Sequence, residues 1–291
     1  DLRRRYADLA TLGAPVSLLS GAEAEARTGS AAFHGALFDQ RAGVIQPLAF
    51  VRGLARAAAA AGAALHEESA VLRIDRTPSA LWRVETDRGA VEAPALLLAT
   101  NAYHAEAAGA PAPIATPVFY FQLATKPLSD NLRRSVLPGG EGAWDTAPVM
   151  SSFRLDGAGR LLIGGVGALD GPAGGVHRAW ASRQLSRLFP QLADQPLESA
   201  VCGRIAMSAD KLPKLQRLGP RGYSVFGYSG RGIGPGVTFG EAAAAALLSG
   251  DETGLPLAPI DRAAPPSRFA SGAAFEAGAA AIHLFGARSP I

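Results

Sequence analysis

Hydrophobic and polar positions follow two periods along this chain, and the switches between them predict its elements. Leu2, Tyr6, Leu9 and Leu12 recur at near-helical spacing among charges, so residues 1–12 predict a helix that leaves Arg3, Arg4 and Arg5 solvated. Ser20 followed by Glu23 and Glu25 marks a second helix start, and residues 31–46 predict short strands and turns around Gly35 and Gly43. A helix over 47–61 opens on Pro47 and closes at Gly62. Residues 63–77 predict a strand, 81–86 and 90–92 a hairpin around Asp87 and Gly89, and 95–100 a buried strand. A helix feeding strands in this way implies a mixed α/β layer.

Pro111, Pro113 and Pro117 then mark a crossing between domains. Beyond it, 118–125, 149–155 and 160–164 read as strands, the last two joined by the turn Asp156-Gly157-Ala158-Gly159, which predicts an antiparallel sheet. Residues 180–189 form an amphipathic helix with Leu185, Leu188 and Phe189 inward, 199–207 return as a strand, and 210–213 turn the chain back. At the end, 261–266 read as a linker and 267–285 as an alanine-rich helix anchored by Phe269, Phe275, Ile282 and Phe285.

The most distinctive stretch is 223–250, YSVFGYSGRGIGPGVTFGEAAAAALLSG. An aromatic and β-branched strand runs into glycines at 227, 230, 232, 234 and 236, with Pro235 between the last two. Thr238 and Glu241 have capping-box spacing and place a helix start there, with Gly250 as its stop. A strand, a glycine turn and a helix N-terminus favour negative charge, because unpaired N–H groups and the positive end of the helix dipole meet in the turn. The plain alternative is a β-α connection whose glycines serve only to turn.

Composition narrows the function classes. At 291 residues and 48% hydrophobic content, the chain can bury a sizeable core as one large or two interleaved domains. Lysine and arginine number 28 against 25 acids, scattered rather than blocked, which argues against a nucleic-acid footprint. The single cysteine, Cys202, excludes an internal disulfide framework and a cysteine-built metal site, and fits a reducing, cytoplasmic setting. No apolar run reaches the roughly 18 residues of a transmembrane helix.

Taken in order, four stretches resemble the FAD-dependent amine and amino-acid oxidoreductases of the D-amino-acid oxidase-like family. They are GALFDQRAGVIQPL at 35–48; residues 69–75 together with LLLATNAY at 96–103; GRLLIGG at 159–165 with GRIAMSADKLP at 203–213; and GYSGRGIGPG at 227–236. The resemblance implies an α/β (α+β) fold in which a truncated FAD-binding α/β domain interleaves with an antiparallel-sheet substrate domain. The implied segments are 1–47 (substrate), 48–116 (FAD), 117–210 (substrate), 211–260 (FAD) and 261–291 (linker and helix). Members begin with a strand, a G-x-G-x-x-G turn, a helix and an acidic residue for the adenosine ribose. This chain contains no such unit, so its expected place is before Asp1.

The resemblance also implies site residues. FAD, held non-covalently, would meet Val71, Thr100 and Asn101, and the backbone of Gly230, Gly232, Ile233, Gly234, Pro235 and Gly236. His34, Tyr120, Trp144, Arg154, Arg204, Tyr228 and Arg231 become pocket and catalytic candidates. Of these, Arg154 and Arg204 could hold a substrate carboxylate in bidentate fashion. Some relatives carry a lysine where Leu162 stands, which leaves the electron acceptor open, and Cys202 is expected to be a buried, inert thiol. The implied substrate is a small amine or amino acid. A non-catalytic homologue serving as a binding subunit, or an anion-binding protein using the glycine turn without flavin, are the alternatives.

Overall fold

A computed structural model describes residues 2–261 and 268–286. The chain opens with α1 (Leu2–Thr11) and β1 (Val16–Ser20). Ser20 ends that strand and caps α2 (Gly21–Thr28): its hydroxyl accepts from the Glu23 N–H at 3.3 Å, and the Glu23 carboxylate accepts from the Ser20 N–H at 2.7 Å. Gly29 closes the helix at φ 74°, a left-handed value that suits glycine. After β2 (Gly35–Asp39), Pro47 opens α3 (Pro47–Ala60), where a missing N–H costs nothing. The strands β3 (Val71–Arg76), β4 (Trp82–Thr86), β5 (Gly89–Ala93) and β6 (Leu96–Leu98) follow, then a single 3-10 turn over Asn101–Tyr103.

The second half holds β7 (Thr116–Pro127), α4 (Asp130–Ser135), β8 (Ala143–Trp144), β9 (Ser152–Leu155), β10 (Arg160–Val166) and α5 (Gly174–Leu188). It continues through β11 (Leu197–Met207), β12 (Lys214–Gly219), β13 (Gly222–Phe226), α6 (Ile233–Ser249) and α7 (Arg268–Phe285). The fold is therefore mixed α/β, with mainly antiparallel sheets. Two compact units result: Asp1–Phe50, Phe119–Gly203 and Glu276–Ile291 form the first, Val51–Val118 and Arg204–Phe275 the second.

In the first unit, the strand order is β11-β7-β10-β9-β8, with β1 and β2 as a separate pair. One face of this sheet is dry. Phe121, Leu123, Phe153, Leu161 and Ile163 bury there against Trp180, Leu185 and Leu188 of α5. Beneath Phe121 lies a polar cluster: His177 meets the Glu276 carboxylate through Nε2 at 2.8 Å and His283 Nδ1 through Nδ1 at 2.7 Å. The second Glu276 oxygen accepts from the Ala168 N–H, Arg183 donates to the His283 carbonyl, and the His283 ring stacks on Trp180 at 3.9 Å. His283 Nε2 is buried without a partner. In the second unit, β6 pairs in parallel with β13, and β3-β4-β5 form a meander. Leu215, Tyr223 and Val225 pack against Phe239, Ala243, Ala246 and Leu247 of α6.

Several sequence expectations need correction. The helix after the glycine turn begins at Ile233, not near Thr238, because proline and glycine are tolerated in a first turn where N–H groups lack partners anyway. Thr238 is thus inside the helix, its hydroxyl donating to the Gly234 carbonyl. α5 starts six positions before 180, at Gly174, and the strand expected from 63 begins only at Val71. β1, α4 and β12 have no counterpart in the reading of the sequence. On α7, Phe275, Ile282 and Phe285 are exposed, whereas Ala279 and His283 are buried. The Phe269 side chain, and the expected linker from 262 on, lie outside the described residues.

Candidate active site

In the second unit, the glycine turn is built by side chains that replace missing backbone pairing. Gly227 (φ 81°), Ser229 (φ 53°) and Gly230 (φ 87°) carry the chain through left-handed backbone. Asn101, itself at φ 48°, accepts the Gly227 N–H on its side-chain oxygen at 3.0 Å. Ser208 and Ser229 bond hydroxyl to hydroxyl at 3.1 Å, and the Ser229 N–H donates to the Ala206 carbonyl. The turn delivers the chain to Gly232, the N-cap of α6, which offers no side-chain cap. Gly232, Ile233 and Gly234 are exposed, while Pro235 and Gly236 are half-buried.

The glycines of α6 are not explained by the chain itself. Neither Gly234 nor Gly236 has positive φ, and a Cβ placed on either meets no atom within 4 Å. Glycine in a helix costs about 1 kcal/mol against alanine, so bare backbone here leaves room over an N-terminus whose dipole favours anions. These residues fit a flavin: they present uncapped N–H groups, positive potential and open space. Thr100 stands just before the 3-10 turn, its hydroxyl 3.1 Å from His104 Nδ1, and Asn101 locks the glycine turn rather than standing free. Val71 is exposed at the start of β3.

Arg204, Tyr228 and Arg231 belong to this unit too. The exposed Arg204 guanidinium lies over the Tyr103 ring at 4.9 Å, while its backbone N–H donates to the Tyr103 hydroxyl. Tyr228 bridges to Met207 and sets its ring edge-on to Phe239; burial raises its phenol pKa. Arg231 is exposed, and its N–H donates to the Tyr228 carbonyl.

In the first unit, the second face of the five-stranded sheet gathers Tyr120 and Gln122 of β7, Ser152 and Arg154 of β9, and Trp144 of β8 around Gly164 of β10. Gly164 lets Tyr120 lie across the strand: a Cβ there would stand 2.9 Å from the Ser152 hydroxyl and 3.0 Å from the Tyr120 ring. The Tyr120 and Ser152 hydroxyls bond at 2.7 Å. Burial raises the Tyr120 pKa, against the opposing pull of Ser152 and Arg154, so the phenol stays neutral near pH 7. Arg154 donates to the Gln122 side-chain oxygen at 3.0 Å, and among the described residues it makes no ion pair. A half-buried guanidinium without a carboxylate suits an anionic ligand.

This face unites three sequence candidates, Tyr120, Trp144 and Arg154. His34 sits elsewhere, exposed in the bend before β2. Cys202 is half-buried rather than buried, its thiol near the Gly167 carbonyl at 3.6 Å. Sequence reasoning missed Gln122 and Ser152, whose only signal was polarity at alternate positions of an otherwise apolar sheet. It also missed Ser208 and Ser229, small hydroxyls within motifs singled out for other residues. Among the described residues, no His, Cys, Asp and Glu group could hold a metal, and no helix is long and apolar enough to cross a membrane.

The glycine turn at the N-terminus of α6 and the mixed α/β units are the architecture of a flavin-dependent oxidoreductase, and residues 1–246 match the family model "FAD dependent oxidoreductase". The chain belongs to that family. It is 33% identical over 218 residues to the probable oxidoreductase OrdL of Rhizobium meliloti (strain 1021), covering 75% of this chain and 50% of that protein. It is 32% identical over 209 residues to the gamma-glutamylputrescine oxidoreductase of Escherichia coli (strain K12), covering 69% of this chain and 47% of that one. The chain thus spans about half the length of these curated relatives. Among solved structures, glycine oxidase from Geobacillus kaustophilus superposes with a TM-score of 0.73 at 24% identity, covering 91% of this chain and 71% of that one. L-proline dehydrogenase from P. horikoshii also gives 0.73, at 22% identity, covering 87% and 70%. These two likenesses concern the fold.

Proposed function

We propose that this protein oxidises the carbon–nitrogen bond of an amine or amino acid with FAD, the second unit contributing to the flavin site and the first binding substrate. Bound FAD supplies the acceptor for the hydride that leaves the carbon next to nitrogen, so that the C–N single bond becomes C=N. The observation that carries the reading is the bare, uncapped start of α6, with open space over Gly234 and Gly236. There the N–H groups of Gly232, Ile233 and Gly234 would meet negative charge on the flavin, a helix terminus contributing about 0.3–2 kcal/mol. Gly230, Pro235, Thr100, Asn101 and Val71 would complete the chain's contribution to flavin binding.

In the first unit, Arg154 would take a substrate carboxylate and Tyr120, neutral, would add a hydroxyl. Arg204, already stacked on Tyr103, is less available for that role than Arg154. The curated relatives are named as oxidoreductases, which supports catalysis over a non-catalytic binding subunit. The single cysteine fits a reducing, cytoplasmic setting.

The test compares Gly234→Val, Gly236→Val and Gly254→Val in the flavin-loaded protein. A Cβ at any of the three meets no atom within 4 Å, so thermal stability should change little in each. Flavin affinity or potential should fall sharply only for the first two. Equal flavin content, potential and turnover in all three would remove the assignment.

A further inference from the structure

The open face of the five-stranded sheet contains a choice that the position of Arg154 alone does not explain. A guanidinium has donors and no acceptor, so the Gln122 atom that meets Arg154 at 3.0 Å must be the carbonyl oxygen. That fixes the amide, and its NH2 group is left to donate elsewhere. The strand register places Gln122 level with Gly164 and Ser152, one row from Arg154 with Leu162 and one row from Tyr120 with Val166. Gln122 therefore stands between the cation and the phenol. Its partner role could have been filled by glutamate, which would anchor the guanidinium more strongly and cancel its charge. A neutral acceptor anchors without cancelling.

We propose that Gln122 is the specificity-determining positioning residue of this face: by holding Arg154 in place with its charge uncompensated, it commits the site to amines that carry a carboxylate. The inference rests on reading Arg154 as the anion-binding residue. It extends that reading to the substrate class, in which amino acids are preferred over simple amines. It also assigns the preference to a residue that touches Arg154. Gln122 acts by fixing the fork of donors and adding its own NH2, so its loss should change discrimination rather than simply weaken all binding.

The experiment measures binding of two probes to the 291-residue chain by calorimetry and by fluorescence of Trp144, which is 57% exposed and pairs with Ser152 on this face. Trp144→Phe identifies the signal. The probes are N-benzylglycine and N-methylbenzylamine, related amines with and without a carboxylate. The parent should prefer N-benzylglycine. Gln122→Glu should lower affinity for it by about tenfold or more while leaving N-methylbenzylamine unchanged or tighter, which reverses the preference. Gln122→Ala, which adds no charge, should lower affinity severalfold for N-benzylglycine alone, and it serves if the glutamate variant does not fold. A parent that prefers N-benzylglycine, with the same ratio in both variants, overturns the role of Gln122 and leaves the Arg154 reading standing. A parent without the preference overturns both.

Discussion

On the dry face of the five-stranded sheet, His177 bonds to both Glu276 and His283 beneath Phe121. On the other face, one position away along β7, Arg154 and Gln122 bond beside Tyr120. The first group closes on itself: its side-chain polar atoms all have partners except the buried His283 Nε2, and it joins α5 to α7. The second is open, with a cation left uncompensated and donors in excess of acceptors. A polar cluster that answers its own charges holds a structure together; one that leaves a charge unanswered is prepared for a ligand.

That contrast can be broken most forcefully at His177. His177→Ala leaves the half-buried Glu276 carboxylate and the buried His283 ring without their shared partner and opens a cavity under Phe121, and should cost on the order of 3 kcal/mol in urea unfolding. Arg154→Ala should cost less than about 1 kcal/mol, since no buried carboxylate depends on it. Similar losses in the two variants would erase the distinction between the faces.

Acid should separate the faces next. Burial lowers the His283 pKa from 6.5 to about 3, assisted by His177 and Arg183. Between those values the folded chain binds fewer protons at His283 than the unfolded chain, so this stabilisation is whole above about pH 6.5 and is lost as pH falls toward 3. Glu276 faces the pair from α7, and Arg183 from α5. Unfolding free energies measured from pH 7 to 3 should decline by a few kcal/mol in the parent and distinctly less in His283→Phe, which keeps a ring against Trp180. Parallel pH curves would show that His283 is not the group responsible.

The smallest expected effect is on the open face. Ser152→Ala removes a hydroxyl partner that holds the Tyr120 pKa down, so the phenol should titrate higher still, at a stability cost of about 1 kcal/mol. With five tyrosines in the chain, an ultraviolet difference titration against Tyr120→Phe isolates the signal. An unchanged Tyr120 titration would mean that the hydroxyl pair does not form.

Local signals in the sequence were legible where chemistry is local. Ser20 with Glu23, Pro47 and the turn around Asp156 each mark boundaries that the structure retains. The lower legibility of β12 has a physical reason: Lys214–Gly219 mixes Lys, Gln and Arg with leucines, and only pairing with β13 buries Leu215 and Gln216. The glycine turn was visible, but its helix start was not, since Gly-Pro-Gly suppresses the pattern that a first turn does not need. The histidine cluster joins residues 177 and 283, far apart in sequence, and no local period can announce such a pair. Arg154 and Tyr120 emerged through family likeness. Gln122 needed the register of β7 against β10.

Consecutive glycines, Gly164 and Gly165, reduce β10 to bare backbone where these two faces are closest. A Cβ on the first would strike Ser152 and Tyr120, and on the second Trp180 at 2.7 Å. Neither face can therefore drift in sequence alone. Enlarging residue 165 to refill the interior would press the strand toward the open side, and enlarging residue 164 would press the other way, against Phe121 and the histidines behind it. Over evolutionary time the dipeptide is a shared wall: a lineage that remodels what binds on one side must first find a compensating change in what packs on the other.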